Sequence, residues 1–442
     1  MKPKSHHLFN PGFLGLMIAQ FFGAMNDNVL KVVLTFMVVD GAWQGDLGEG
    51  GQGIVSICFT VPFMLLSGFA GQVADRHSKR DVTIWVKIAE IPIAIVAGIG
   101  FYFQNLPITL VALTALTCQS SFFGPAKYGM IPELVPVKHL SRANGAINML
   151  TNVAVIAGTI LAGLTSDLYA STDEAQGLRW LPGAILVLIA VFGWVSARLI
   201  TPLEPCDKSL KYNWNPFSTY WETMREMSKT RLLMVMMAWG YFYLLAGLAL
   251  MILPEYSVVL DINHTEASVL MGVLGVAIGL GCAVAGFISG DSIEPRLTTI
   301  GALGLVTFFL LLGVVDPWMP DARPLVRVAL SNVSLFILCA GFFAGFYIIP
   351  LQSLLQKLSP DGERGQFLGT ANAVSFAFLT VAGVMYTVIR PYFADAPQRI
   401  FLVSSMMMLA GAAFFLWKLR GTGLLIGPRK EKATEDTAAV AE

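Results

Sequence analysis

The sequence predicts an all-α membrane protein of twelve transmembrane helices, arranged as two pseudo-symmetric halves of six. Three observations carry that prediction: a composition too apolar for a water-facing surface, twelve apolar runs of spanning length, and similarity between the first and second halves of the chain.

Of the 442 residues, 55% are hydrophobic and only 13% are charged, with a mean hydropathy of +0.66. A soluble chain carries about 25% charged residues, so this one lacks the groups needed to clothe a surface in water. The formal net charge is zero, which offers no bulk attraction to nucleic acid or to acidic substrates. Cys58, Cys118, Cys282 and Cys339 lie in apolar runs and Cys206 lies in a polar loop. No spacing among them suits a metal site or a redox pair, so neither metal nor cofactor is expected. The basic opening "MKPKSHHLFNPGFLG" leads into an apolar stretch longer than the core of a cleavable signal and without a small-residue cleavage site. It reads as a retained first span.

A bilayer is crossed by about 20 mostly apolar residues. Such runs fall near 13–39, 51–73, 83–103, 107–130, 141–166, 180–200, 231–254, 266–290, 297–316, 325–356, 365–389 and 398–419. The loops between them alternate in charge. One set carries Lys2 and Lys4, Arg76, Lys79 and Arg80, Lys138 and Arg142, and then Arg198 to Arg231. It continues with Arg296, with Lys357 and Arg364, and with the basic residues from Lys418 to Lys432. The opposite set includes "DGAWQGDLGEG" and "EYSVVLDINHTEA", which hold acids and no lysine or arginine. The positive-inside bias therefore puts both termini in the cytosol, with Arg323, Arg327, Arg390 and Arg399 as mild exceptions.

Residues 201–230 form the longest polar connection and divide the chain into a first bundle (1–200) and a second (231–420), followed by a charged tail (421–442). Within the connection, "TYWETMREMSKTRLL" places Trp221, Met224 and Met227 or Ser228 at helical spacing, which predicts a short interfacial helix. The two bundles resemble each other. "GFAGQVADRHSKR" after span two matches "GFISGDSIEPR" after span eight, "FFGPAKYGMIPEL" matches "FFAGFYIIPLQSL", and "RANGAIN" matches "TANAVSF". The offsets are 218, 220 and 228 residues (Gly68 to Gly286, Phe122 to Phe342, Asn144 to Asn372). Three matches in one order at nearly one spacing indicate duplication of a six-span unit.

Several polar groups sit inside these apolar runs. On span one, Gln20, Asp27, Lys31 and Thr35 fall within about 80° of one another at 100° per residue, with Asn28 alongside. Such a stripe faces a bundle interior or a water-filled cavity rather than lipid. Lys87 and Glu90, three apart on span three, share a face. Lys127 stands in "GPAKYG", where Gly124 and Pro125 loosen the helix. Each has two readings: a ligand group, or an internal ion pair for Asp27–Lys31 and Lys87–Glu90 and a snorkelling cation for Lys127. Asn144, Asn148, Asn152 and Asn372 suit hydrogen bonds between helices.

"GQVADRHSKR" resembles the cytosolic signature of the major facilitator superfamily, with Gly71, Asp75, Arg76, Lys79 and Arg80 in register and Ser78 where glycine is usual. The resemblance implies the major facilitator fold and a gating latch in which Asp75 pairs with groups near 363–366. "FFGAMNDNVLK", "GPAKYGMIPEL" and "RANG" narrow the resemblance to bacterial lysophospholipid transporters, most densely over residues 10–165. That resemblance implies residence in the bacterial inner membrane, action as a monomer among membrane lipids, and transport by alternating access. The cargo would be a lysophospholipid such as lysophosphatidylethanolamine, supplied to a separate acyltransferase and acyl-carrier-protein ligase. Asp27 and Lys127 would meet its charged head group, with Lys31, Lys87, Glu90, Gln20 and Asn28 lining the same cavity. Glu294 resembles an acidic gating position of the family. Where the resemblance leads us to expect an arginine in span seven, this chain has Ala246.

A proton-coupled carrier of small solutes or drugs, working through Asp27 or Glu90, is the competing reading on the same fold. Enzymatic function is not expected. His77 is followed by "SKRD" and His139 by "LSRAN", so neither makes a His-x4-Asp acyltransfer dyad, and no phosphate loop or Gly-x-Ser-x-Gly elbow occurs.

Overall fold

A computed structural model of the chain describes residues 8–41, 47–136, 140–169, 178–205, 212–213, 215, 218–289, 294, 296–359 and 364–420. The first bundle comprises α1 (Pro11–Val39), α2 (Gly51–Arg76), α3 (Lys79–Tyr102), α4 (Leu106–Leu134), α5 (Leu140–Tyr169) and α6 (Leu181–Arg198). A short α7 (Ser218–Ser228) lies in the connection. The second bundle comprises α8 (Leu232–Ile252), α9 (Tyr256–Val259), α10 (His264–Ser289), α11 (Arg296–Val314), α12 (Pro324–Ala329), α13 (Asn332–Leu358), α14 (Arg364–Ile389) and α15 (Ile400–Arg420). Twelve of these are long and apolar enough to cross a membrane, and each coincides with an expected run.

The helix ends follow local chemistry. Asn10 caps α1, its Oδ1 accepting from the Phe13 N–H at 3.0 Å, and Pro11 opens the first turn. Asn105 caps α4 in the same way through the Ile108 N–H. One expected boundary is corrected. The apolar run 325–356 is two helices, because Ser331 adopts extended backbone and accepts from the Ser334 N–H, starting α13 afresh. The severed piece, α12, carries Arg327, whose Nε and Nη2 reach Glu266 on α10 at 2.8 and 2.9 Å. The expected helix in the connection is present as α7. Its protein-facing side is Thr223 and Met227, while Trp221 points outward, 73% exposed.

In the first bundle α1 packs on α5 and α6, and α3 on α4 and α6; in the second, α13 packs on α10 and α11. The bundles meet along two seams, α2 with α14 and α5 with α10. Along the first, Thr60 and Thr380 share a hydrogen bond of 2.7 Å and the Phe63 and Phe376 rings stack at 4.7 Å. Closer to the far end Gly53 faces Gly383 so tightly that a β-carbon on either would strike the other helix. Along the second, Gly163 lies against Ser268 and Gly275 against Ile156. All these contacts lie in the part of the bundle away from α7. Towards the α7 face the seams part: Gly71, Gly279, Gly286 and Gly369 have open space where a β-carbon would point, and Asn152 and Asn372 are exposed. Among the described residues the two bundles thus enclose a cleft that is closed at the far face and open towards α7.

Candidate substrate site and gates

The cleft-side polar groups of the first bundle come from α1, α3 and α4. Asp27, half-buried, has the Ser120 hydroxyl 3.0 Å from each of its carboxylate oxygens, with Ser120 donating. Lys31 does not close an ion pair with Asp27; its ammonium lies over the Phe59 ring, 4.8 Å from the centroid. The expected Asp27–Lys31 pair is therefore replaced by Asp27–Ser120. Lys127 is 8% exposed and lies over the rings of Tyr128 and Phe123, at 4.5 and 6.0 Å. Among the described residues no hydrogen bond or ion pair reaches its ammonium, so a buried cation is left with only aromatic faces for company. Asp27 feels the charges of Glu90, Lys87 and Lys31, and Lys127 feels those of Lys87 and Asp27, so the five form one electrostatic cluster.

Lys87 and Glu90 are otherwise engaged. Lys87 Nζ lies 2.7 Å from Glu90 Oε2, Asn26 donates to Glu90 Oε1 at 2.6 Å, and both charged side chains are buried. Lys87 passes through the notch left by Gly23 on α1, where a β-carbon would strike its ammonium. The pair, with Asn26, ties α3 to α1 and gives each charge a partner within the protein. Gln20 is also buried and donates to Thr151 on α5 at 2.9 Å, bracing α1 against α5 rather than lining the cleft. Asn28 bonds back to Ala24 O at 2.8 Å.

The far face is locked by two charge clusters whose contacts join residues 97 to 341 apart in sequence. In one, buried Glu255 accepts from Arg390 Nε and Nη2 (2.7 and 2.9 Å), from the Tyr386 hydroxyl (2.6 Å) and, across the seam, from Gln52 of α2 (2.9 Å). Arg390 Nη1 adds Glu49 at 3.4 Å. Gly50 seats this lock: its φ of 89° suits only glycine, and a β-carbon there would sit 2.9 Å from Thr387 Cα. In the other cluster, His264 of α10 reaches Asp40 and Asp167 of the first bundle. None of these residues stands out in the sequence. The one available signal was Arg327 and Arg390 breaking the loop-charge pattern, and both prove to be neutralised by a buried glutamate.

At the α7 face the signature residues do work within the first bundle and on the connection. Lys79 pairs with Glu133 at 2.7 Å and Arg80 donates to Ile200 O at 2.7 Å, closing the C-terminal end of α6. Arg76 lies 4.5 Å from the Tyr212 ring, His77 meets the Tyr212 hydroxyl at 2.9 Å, and Gln72 bonds Asn213 through both N–H and carbonyl. Among the described residues no ion pair reaches the exposed Asp75, and Gly71 faces open space. Its expected partners near 363–366 and the charged tail lie outside the described residues or side chains. Glu294, half-buried, bonds through its carbonyl to the Leu297 N–H at the head of α11.

Known proteins agree with this architecture. Lysophospholipid transporter LplT of Cronobacter sakazakii is 26% identical over 427 residues, covering 93% of this chain and 97% of that protein. LplT of Photorhabdus laumondii is 27% identical over 400 residues, covering 87% and 90%. Among solved structures, the nucleoside transporter NupG superposes with a TM-score of 0.67 at 13% identity, covering 92% of this chain and 99% of NupG. A bacterial homologue of the lysosomal transporter Spinster, in an inward-facing and unoccupied conformation, superposes with a TM-score of 0.64 at 12% identity, covering 92% and 96%. The Major Facilitator Superfamily model matches residues 16–384, and the chain belongs to that superfamily.

Proposed function

We propose that the chain carries lysophospholipids, lysophosphatidylethanolamine among them, across the bacterial inner membrane by alternating access, for re-acylation on the cytosolic side. The observation that carries this reading is Lys127: a buried ammonium that, among the described residues, closes no ion pair, in the same cluster as a half-buried carboxylate. An unpaired buried cation is costly, and a phosphate entering the cleft would relieve that cost. Three lysines against two carboxylates leave the cluster one positive charge in excess, which suits a phosphodiester. Lys127 meets the phosphate as a point charge while Asp27 meets a head-group amine. The single acyl chain lies along apolar walls or passes out between the parted helices. The named relatives support the same cargo. With the loop charges placing the α7 face in the cytosol, the present conformation is the inward-open one.

Proteoliposomes loaded with labelled lysolipids of different head groups, with and without a proton or sodium gradient, test the assignment. Protein-dependent movement of single-chain phospholipids is the expected result. If no lysolipid moves and a soluble solute does, the lipid reading fails.

A further inference from the structure

The α5–α10 seam holds a group that lysophospholipid transport does not use. His264 opens α10, and its side chain is only 11% exposed. Nε2 lies 2.7 Å from Asp40 Oδ2, just beyond the end of α1, and Nδ1 lies 2.9 Å from Asp167 Oδ1 on α5. Both carboxylates belong to the other bundle. The Nδ1 contact is too bent for a hydrogen bond and acts through charge; the backbone N–H groups of His264 and Thr265 bond Asp167 instead, at 2.8 and 3.0 Å.

A neutral imidazole has one N–H and one bare lone pair. Protonated at Nδ1 alone, the ring turns a lone pair on Asp40 Oδ2 at 2.7 Å; protonated at Nε2 alone, it donates to Asp40 but leaves a bare nitrogen 2.9 Å from Asp167 Oδ1. The doubly protonated ring is the form both contacts favour, with a hydrogen bond to Asp40 and a positive charge beside Asp167. Among the described residues the surroundings offer no competing cation. From α1 come Asp40 and the Phe36 ring, 4.9 Å away, and from α5 comes Asp167. Arg327 of α12 is taken by Glu266, the neighbour of Thr265 on α10 itself. Glu255, in the turn before α9, is taken by Arg390, Tyr386 and Gln52. Tyr256 at the start of α9 is buried, Asp261 is exposed, and α13 has no charged residue in its half nearest the far face.

We propose that His264 is a proton-binding site of the far-face gate: closing the gate captures one proton between Asp40 and Asp167, and opening returns it to the solvent on that face. Opening draws α10 from α1 and α5 and leaves the imidazole in water, where it holds a second proton only below about pH 6.5. Without that proton, the neutral ring loses its attraction to the two carboxylates across the seam. The closed gate therefore binds more protons than the open one, so acid favours closure and alkali favours opening. A one-proton linkage changes the closed-to-open ratio by up to about tenfold per pH unit.

The test needs no lipid cargo, so its failure would leave the transport reading standing, and the reverse. The full chain, with its native cysteines replaced, is spin-labelled at Phe103 and Tyr392, exposed positions on the far face of the two bundles. Distance distributions are then measured in nanodiscs from pH 5 to pH 9. In the parent protein the long-distance population should grow as pH rises. His264→Gln should flatten that dependence. Asp40→Asn, a milder change at a partly exposed carboxylate, should keep the slope and move the midpoint to lower pH. A pH-independent distribution in the parent, an unchanged profile in His264→Gln, or an unmoved midpoint in Asp40→Asn would each overturn the proposal.

Discussion

Lys87 Nζ stands 2.7 Å from Glu90 Oε2 inside the first bundle, with both side chains sealed from solvent and Asn26 occupying the other carboxylate oxygen. Two charges expected to face a substrate are thus satisfied by the protein itself. Taking away one partner strands the other in a low-dielectric interior, which costs about 3–5 kcal/mol. Lys87→Met should destabilise the folded protein by that amount in detergent unfolding. The double change Lys87→Met with Glu90→Leu should recover most of the loss. A single variant as stable as the parent would show that the pair is not a brace.

Lys127 makes the opposite prediction because, among the described residues, it has no ion pair to lose. Lys127→Ala should abolish lysolipid movement in proteoliposomes while leaving the unfolding midpoint unchanged or higher. Asp27→Asn should also abolish movement, and it keeps the shape that Ser120 binds. Normal transport by both variants would remove the head-group site from this cleft.

The far-face closure can be opposed sterically. At Gly53 a β-carbon would overlap the Gly383 carbonyl and the Thr387 hydroxyl, and backbone yields poorly. Gly53→Ala should therefore wedge α2 from α14 and raise the open-outward fraction severalfold, read by labelling of cysteines placed beside the seam. An unchanged labelling rate would show that the seam absorbs the methyl group.

Among the described residues no ion pair reaches Asp75, and the side chains near 363–366 lie outside them. If it latches the halves when the α7 face closes, Asp75→Asn should destabilise only that other state. The inward-open share should rise and transport should slow. Equal populations in parent and variant would sink the latch.

Much of this was legible from residue spacing. The twelve spans follow from apolar length, and the Lys87–Glu90 contact follows from a separation of three on one helix. The stripe on span one marked Asp27 as facing the bundle interior, but its partner was not legible. Lys31 is the obvious choice one turn away, yet the structure gives Asp27 to Ser120 on α4 and lays Lys31 on Phe59 of α2. Which neighbour wins depends on how helices dock, and no periodicity within one helix reports that. The far-face locks were illegible for the same reason: Gln52 and Glu255 lie 203 residues apart, and their meeting exists only once the two bundles have closed.

Asp167 has one consequence more. It sits on α5, yet it accepts the backbone N–H groups of His264 and Thr265, so part of the N-terminal capping of α10 comes from the other half, beside the helix's own Asn263–Glu266 box. Each opening of the far face must release those two amides, which can then exchange with solvent. The hydrogen-exchange rate at residues 264 and 265 is accordingly a built-in clock of the transport cycle, readable without any label.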